Sequence, residues 1–229
     1  MGKMGRVFRN EFVEGYSLFE KLFMIGMILL QIAVFAVAPD STLSFIVGVS
    51  GVICVVLTAK GKISSYAFGL IQVLGYMYLA WHQRFYGEVL ENVFYLVTTI
   101  WGIFIWKNHM VKNADGTSHV RAKAMNGLEW VVSIIITIAT TLALGFGLNK
   151  IGSQQAYTDA ATNIFAIFGQ LLLVHRYREQ WIWWLLVDLF CIKLWYVAGN
   201  WSMVAMYVGW TINCLYGWYN WTKLVEKNS

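Results

Sequence analysis

The chain has 229 residues, 59% of them hydrophobic and only 13% charged, with a formal net charge of +5. Soluble domains lie nearer half apolar and a quarter charged. The composition therefore excludes an ordinary soluble enzyme or binding domain and predicts an all-α integral membrane protein. One proline, Pro39, leaves long helices uninterrupted. Twelve Trp, twelve Tyr and fourteen Phe exceed what two interfacial aromatic belts require.

Taken in chain order, the charged N-terminal stretch leads into an apolar run without a small-residue exit, so no cleavable signal is expected. A spanning helix needs about 20 apolar residues. Eight candidate spans follow, at about 19–38, 43–59, 66–85, 90–107, 128–148, 158–175, 180–197 and 201–222. Their connections are short except at about 108–127, which is polar and basic. Positive charge sets direction, because Lys and Arg accumulate on the cytoplasmic side. With the N-terminus inside, the cytoplasmic segments hold fourteen Lys and Arg, while the outer loops hold only Arg84 and Lys150. Both termini are then expected in the cytoplasm. The basic balance reflects topology and anionic lipid, and it requires no nucleic-acid partner.

A constant shift of 115 residues lays spans two to four over spans six to eight without gaps, pairing Tyr66 with Trp181, Gly69 with Trp184 and Tyr95 with Trp210. The same shift pairs Thr98 with Asn213, Gly102 with Gly217 and Trp106 with Trp221. The triplets lie four spans apart, so they keep one orientation. This is a parallel repeat, of the kind found in SWEET proteins. The expected plan is a tail and extra helix over 1–42, a first three-helix repeat over 43–107 and a loop with a linker helix over 108–157. A second repeat over 158–222 and a cytoplasmic tail over 223–229 complete it.

Polar groups at membrane depth are costly and face a cavity or a partner helix. Helical spacing puts Asp159, Thr162, Asn163, Ala166 and Gln170 on one stripe of span six. In span seven, Trp181, Trp184, Asp188 and Cys191 share a stripe, while Trp183, Phe190 and Lys193 share another face. Tyr207, Trp210 and Gly217 share a side of span eight, with Asn213 close by. In the first repeat, Glu91, Tyr95, Thr98 and Gly102 align, as do Tyr66, Gly69, Gln72 and Tyr76.

Lys193 is near a helix end and can snorkel to the headgroups. Asp188 is mid-span and needs a partner, water or a cationic ligand. Indole faces beside a carboxylate suit a flat cation, by stacking and cation–π attraction of about 0.5–2 kcal/mol per contact. Trp183 and Trp221 read as interface anchors, and Glu91 and Asp159 as solvated or capping groups at helix ends. The three cysteines read as apolar packing residues. With the four histidines at loops and helix ends, no metal, cofactor or nucleophile–base pair is expected, and enzyme chemistry has no support. A retinal-type protein fails because Asp188 and Lys193, five residues apart, lie on different faces.

At these residues the sequence resembles the bacterial nicotinamide riboside transporter family, PnuC, over about 43–224. The resemblance rests on W-x-x-W at Trp181 and Trp184 after a basic turn, Gln170 eleven residues earlier, and Asp159 at the head of span six. It rests also on the endings Gly102–Trp106 and Gly217–Trp221. It implies a SWEET-like three-one-three fold in the bacterial inner membrane. It implies facilitated uptake of nicotinamide riboside, trapped afterwards by cytoplasmic phosphorylation, and a homotrimer. Gln170, Trp181, Trp184 and the polar face of span eight become the expected binding groups. The chain departs from the family pattern at Asp188, where an amide is expected. The substrate-binding set read from stripes and resemblance together comprises Gln72, Tyr95 and Thr98 in the first repeat. In the second it comprises Asn163, Gln170, Trp181, Trp184, Asp188, Tyr207, Trp210 and Asn213. A SWEET-like carrier of another small solute, a thiamine-type vitamin or a sugar, is the alternative.

Overall fold

The computed structural model describes residues 9–37, 41–113, 116–153 and 155–228. Among these, eight long helices follow in order: α1 (Leu18–Val37), α2 (Thr42–Ala59), α3 (Ser65–His82), α4 (Tyr86–Lys107), α5 (Gly127–Lys150), α6 (Ala156–Val174), α7 (Gln180–Val197) and α8 (Trp201–Asn228). Each falls on one of the eight stretches expected to be helical. Six of the eight, α1, α2, α4, α5, α6 and α7, are long and apolar enough to cross a membrane. The chain is a multi-pass membrane protein. Tyrosines and Gln72 dilute the apolarity of α3, and Asn213, Asn220 and Glu226 dilute that of α8. Pro39 lies outside the described residues.

Local chemistry sets several ends. Ser41 caps α2 by accepting the Ser44 N–H at 3.1 Å. A capping box opens α5: Asn126 accepts the Glu129 N–H at 2.9 Å while Glu129 accepts the Asn126 N–H at 2.8 Å. Nothing in Lys223–Asn228 stops a helix, so α8 runs six residues past its expected end at 222. The linker holds a small antiparallel pair missing from the sequence reading: β1 (Met110–Lys112) meets β2 (Ser118–Val120), with Met110 opposite Val120. Three-residue strands are too short to show a period.

The chain forms two compact units, divided between Arg121 and Ala122. In the first, α1 packs on α2, α2 on α3 and α3 on α4; in the second, α5 packs on α6, α6 on α7 and α7 on α8. Helix α1 is also tied by charge. Glu20, only 4% exposed, pairs with Lys60 at 2.6 Å, and Lys60 donates to the Gly15 carbonyl at 2.8 Å.

Several local features of one unit recur in the other at the shift of 115. Helix α3 at Ser65–His82 corresponds residue for residue to α7 at Gln180–Val197. The turn before each is left-handed, with φ 66° at Gly61 and 66° at Arg176. The turn after each is left-handed too, with φ 60° at Arg84 and 73° at Gly199. Lys62 N–H donates to the Leu57 carbonyl at 3.0 Å, and Tyr177 N–H donates to that of Leu172 at 2.9 Å.

A ring seated on a glycine recurs as well. In the first unit Tyr66 lies against Gly102 and meets Trp106 edge-on at 5.0 Å. In the second Trp181 lies against Gly217 and meets Trp221 edge-on at 6.1 Å. A Cβ on Gly217 would sit 2.5 Å from the Trp181 ring. Gly217→Ala is therefore expected to cost about 1–3 kcal/mol by overpacking. Combined with Trp181→Leu it should cost less than the two losses added, because the neighbours share one space. Thermal melting in detergent checks this, and simple additivity would refute the contact.

Two readings of tryptophan need correction. Trp183 and Trp221, expected as interface anchors, are 5% and 0% exposed. Trp183 packs between Phe165 and Phe168 of α6, with ring centroids at 5.9 and 5.8 Å. A tryptophan near a helix end shows the same sequence signature facing lipid or facing a neighbouring helix.

Candidate substrate-binding site

The second unit gathers most of the expected groups on α6, α7 and α8. Gly169 lets the Trp184 indole close onto α6: a Cβ there would lie 3.0 Å from the indole Nε1. Gln170, next in the chain, is buried at 6% exposure. One turn along α7 from Trp184, Asp188 is 4% exposed and accepts the Cys214 thiol of α8 at 3.3 Å. Asn213, beside Cys214, is buried at 2% exposure. Tyr207 stacks edge-on with Trp210 at 5.1 Å and lies in hydrogen-bonding reach of Cys191. The Trp210 indole N–H is buried with no hydrogen-bond acceptor among the described residues.

Other expected groups sit apart from this cluster. Trp181 is 4% exposed, enclosed by Gly217 and Trp221, and it does for its unit what Tyr66 does for the first. Asn163 is exposed, and its amide donates to the Asp159 carbonyl of its own helix at 2.8 Å. Asp159 is exposed and accepts the Ser153 hydroxyl at 3.2 Å. Lys193 is exposed.

In the first unit, Gln72 packs over Gly51, where a Cβ would meet its amide nitrogen at 2.9 Å. The Tyr95 phenol donates to Glu91 at 3.0 Å. The buried Thr98 hydroxyl donates to the carbonyls of Phe94 at 2.8 Å and Tyr95 at 3.1 Å.

Two features escaped the sequence reading. Cys214 is the polar neighbour of Asp188, although a lone cysteine in an apolar run reads as packing. Glu179 is fully buried at the turn before α7. It pairs with Arg178 at 2.9 Å and accepts the Met125 N–H at 3.0 Å. At the same turn, burial lowers the Lys123 ammonium from its ordinary value, helped by the Arg176 guanidinium. Burial and a 2.5 Å hydrogen bond to Glu129 push the Tyr177 phenol up to about 12.

Apolar helices that enclose a carboxylate, an amide pair and a line of indole rings are the build of a solute-carrying membrane protein. The chain belongs to the PnuC family: the family described as nicotinamide mononucleotide transporter matches residues 41–223. It is 40% identical over 222 residues to the nicotinamide riboside transporter PnuC of Haemophilus influenzae, covering 96% of this chain and 97% of that one. It is 35% identical over 229 residues to the protein of that name from Neisseria mucosa, covering 96% and 87%. The crystal structure of the vitamin B3 transporter PnuC superposes with a TM-score of 0.83 at 34% identity, covering 97% of this chain and 98% of that one.

Proposed function

We propose that this chain carries nicotinamide riboside into the cell, down the riboside's own gradient and by alternating access. Relatives that match nearly its whole length carry that name. The observation that supports the substrate is the grouping of Trp184, Gln170 and Asp188. Trp184 is held on Gly169, Gln170 adjoins it, and Asp188 lies one turn away. An indole face suits the cationic pyridinium ring, a carboxamide side chain matches the nicotinamide amide, and a carboxylate balances the charge. Gln170, Trp184, Asp188, Trp210 and Asn213 are the groups assigned to the ligand. Trp181 is assigned to holding the unit together.

The repeat at a shift of 115 favours a SWEET-like three-one-three plan of parallel triplets, with α1 as the extra helix and α5 as the linker. Fourteen cationic residues on one side against two on the other favour cytoplasmic termini in the inner membrane. A homotrimer follows the family resemblance.

The family's description names the mononucleotide and the relatives name the riboside, and charge decides between them. A phosphate calls for an Arg or Lys cluster. In the second unit the grouped cations, Lys123, Arg176 and Arg178, lie at the turn before α7, where Arg178 is engaged by Glu179 and lies over Trp218. Lys193 is exposed, and none of these cations pairs with Asp188 among the described residues. The riboside is therefore expected to bind at least about 100-fold more tightly than the mononucleotide, a difference of about 2.7 kcal/mol. Titration calorimetry of the purified protein with riboside, mononucleotide and thiamine tests this. Equal binding of the mononucleotide would defeat the charge argument. Binding of thiamine alone would make the chain a carrier of a different vitamin.

A further inference from the structure

Asp188 lies at the middle of α7, 4% exposed, and its hydrogen-bond donor is the Cys214 thiol at 3.3 Å. A thiol is a weak donor. No ion pair among the described residues includes Asp188. Helices α6 and α8 pack against α7. From α8, Cys214 and Tyr207 face the carboxyl group, and on α7 itself Cys191 is the titratable neighbour. All three are neutral donors. On α6 the one carboxylate, Asp159, is exposed at the first turn and occupied by Ser153. Lys193 is exposed and forms no ion pair with Asp188 among the described residues.

Among the described residues of this unit, no Lys or Arg pairs with Asp188. An ionised carboxylate in apolar surroundings costs several kcal/mol unless a cation accompanies it. The cation can be a proton or a ligand, and each displaces the other. We propose that Asp188 holds a proton while the site is empty and releases it as the cationic ring of the ligand binds. This rests on the riboside reading above. The carboxyl O–H bond breaks, the proton passes to water, and the carboxylate faces the pyridinium ring without bonding to it. The site is neutral before and after, so its empty and loaded forms carry equal charge. The linkage has a definite sign: a ligand that displaces a proton binds more tightly as pH rises and more weakly as pH falls.

The test is calorimetry with nicotinamide riboside in buffers of different ionisation enthalpy, where the slope of observed heat counts protons released. The expected result is close to one proton per riboside near pH 6 for the unaltered protein. Its dissociation constant should rise about tenfold for each pH unit lowered while the proton is held. Asp188→Asn should abolish the release and flatten the pH dependence, and Asp188→Glu should keep both. Riboside binding without proton release, and with affinity flat in pH, would overturn the exchange while leaving the substrate standing. Full release retained in Asp188→Asn would place the proton elsewhere and overturn it too. Absence of riboside binding with a signal from thiamine would instead remove the substrate reading on which the proposal rests.

Discussion

Glu179→Ala is expected to lower stability by about 1–3 kcal/mol, the range for leaving a buried hydrogen-bonding group without its partner. Glu179 is 0% exposed, holds Arg178 through two nitrogens at 2.9 and 3.2 Å, and accepts the Met125 N–H at 3.0 Å. Removing the carboxylate takes the acceptor from a guanidinium and from a backbone donor in one step. The Arg178 side chain is 21% exposed and also reaches the Thr222 hydroxyl at 3.5 Å, so the Met125 N–H is the group left without its partner. Glu179→Gln keeps an acceptor for Met125 and loses the charge pair, so it should fall between the two. Thermal melting in detergent reads the series, and an alanine variant that melts like the parent would show that the turn rearranges to let water in.

Trp184→Ala is expected to weaken riboside binding by about 10–100-fold, or about 1.4–2.7 kcal/mol. That is the combined size of one aromatic stack and one cation–π contact. Trp184→Phe should recover part of it, since a benzene ring stacks but attracts a cation less than indole. The structural cost should be modest, because the ring rests on Gly169 and is only half-buried. Calorimetry against a melting control separates the two effects. Unchanged affinity in a folded alanine variant would remove Trp184 from the site.

The helices are legible in the sequence because crossing a membrane demands about 20 apolar residues each. Few sequence patterns are so constrained by length. The repeat is legible as well, but from spacing and not from identity. What recurs is the left-handed turn at Gly61 and Arg176 and the ring on Gly102 and Gly217, and the paired residues there differ in kind. The stripe through Trp181, Trp184 and Asp188 points correctly toward neighbouring helices. It does not say which neighbour: Trp184 rests on Gly169 of α6, whereas Gly217 and Trp221 of α8 enclose Trp181. The Cys214–Asp188 contact was hidden because cysteine reads as a small apolar residue until a carboxylate stands beside it. The buried Glu179 was hidden because a charged turn residue next to Arg178 looks solvated.

One pair of contacts tells how the two halves diverged. In the first unit the Cys54 sulfur rests on Gly69, 3.3 Å from where a Cβ would be; in the second, Trp184 rests on Gly169. Under the shift of 115, Cys54 is the counterpart of Gly169 and Gly69 is the counterpart of Trp184. The same helix-to-helix gap is thus filled from opposite sides. The two units share the gap and differ in which helix supplies the filler. The ring-on-glycine seats and the flanking turns stayed common to both. The second unit thus presents an indole where the first presents a thiol, within a similar frame. Exchanging what fills one such gap therefore changes the side chain on offer without requiring a different set of helices to frame it.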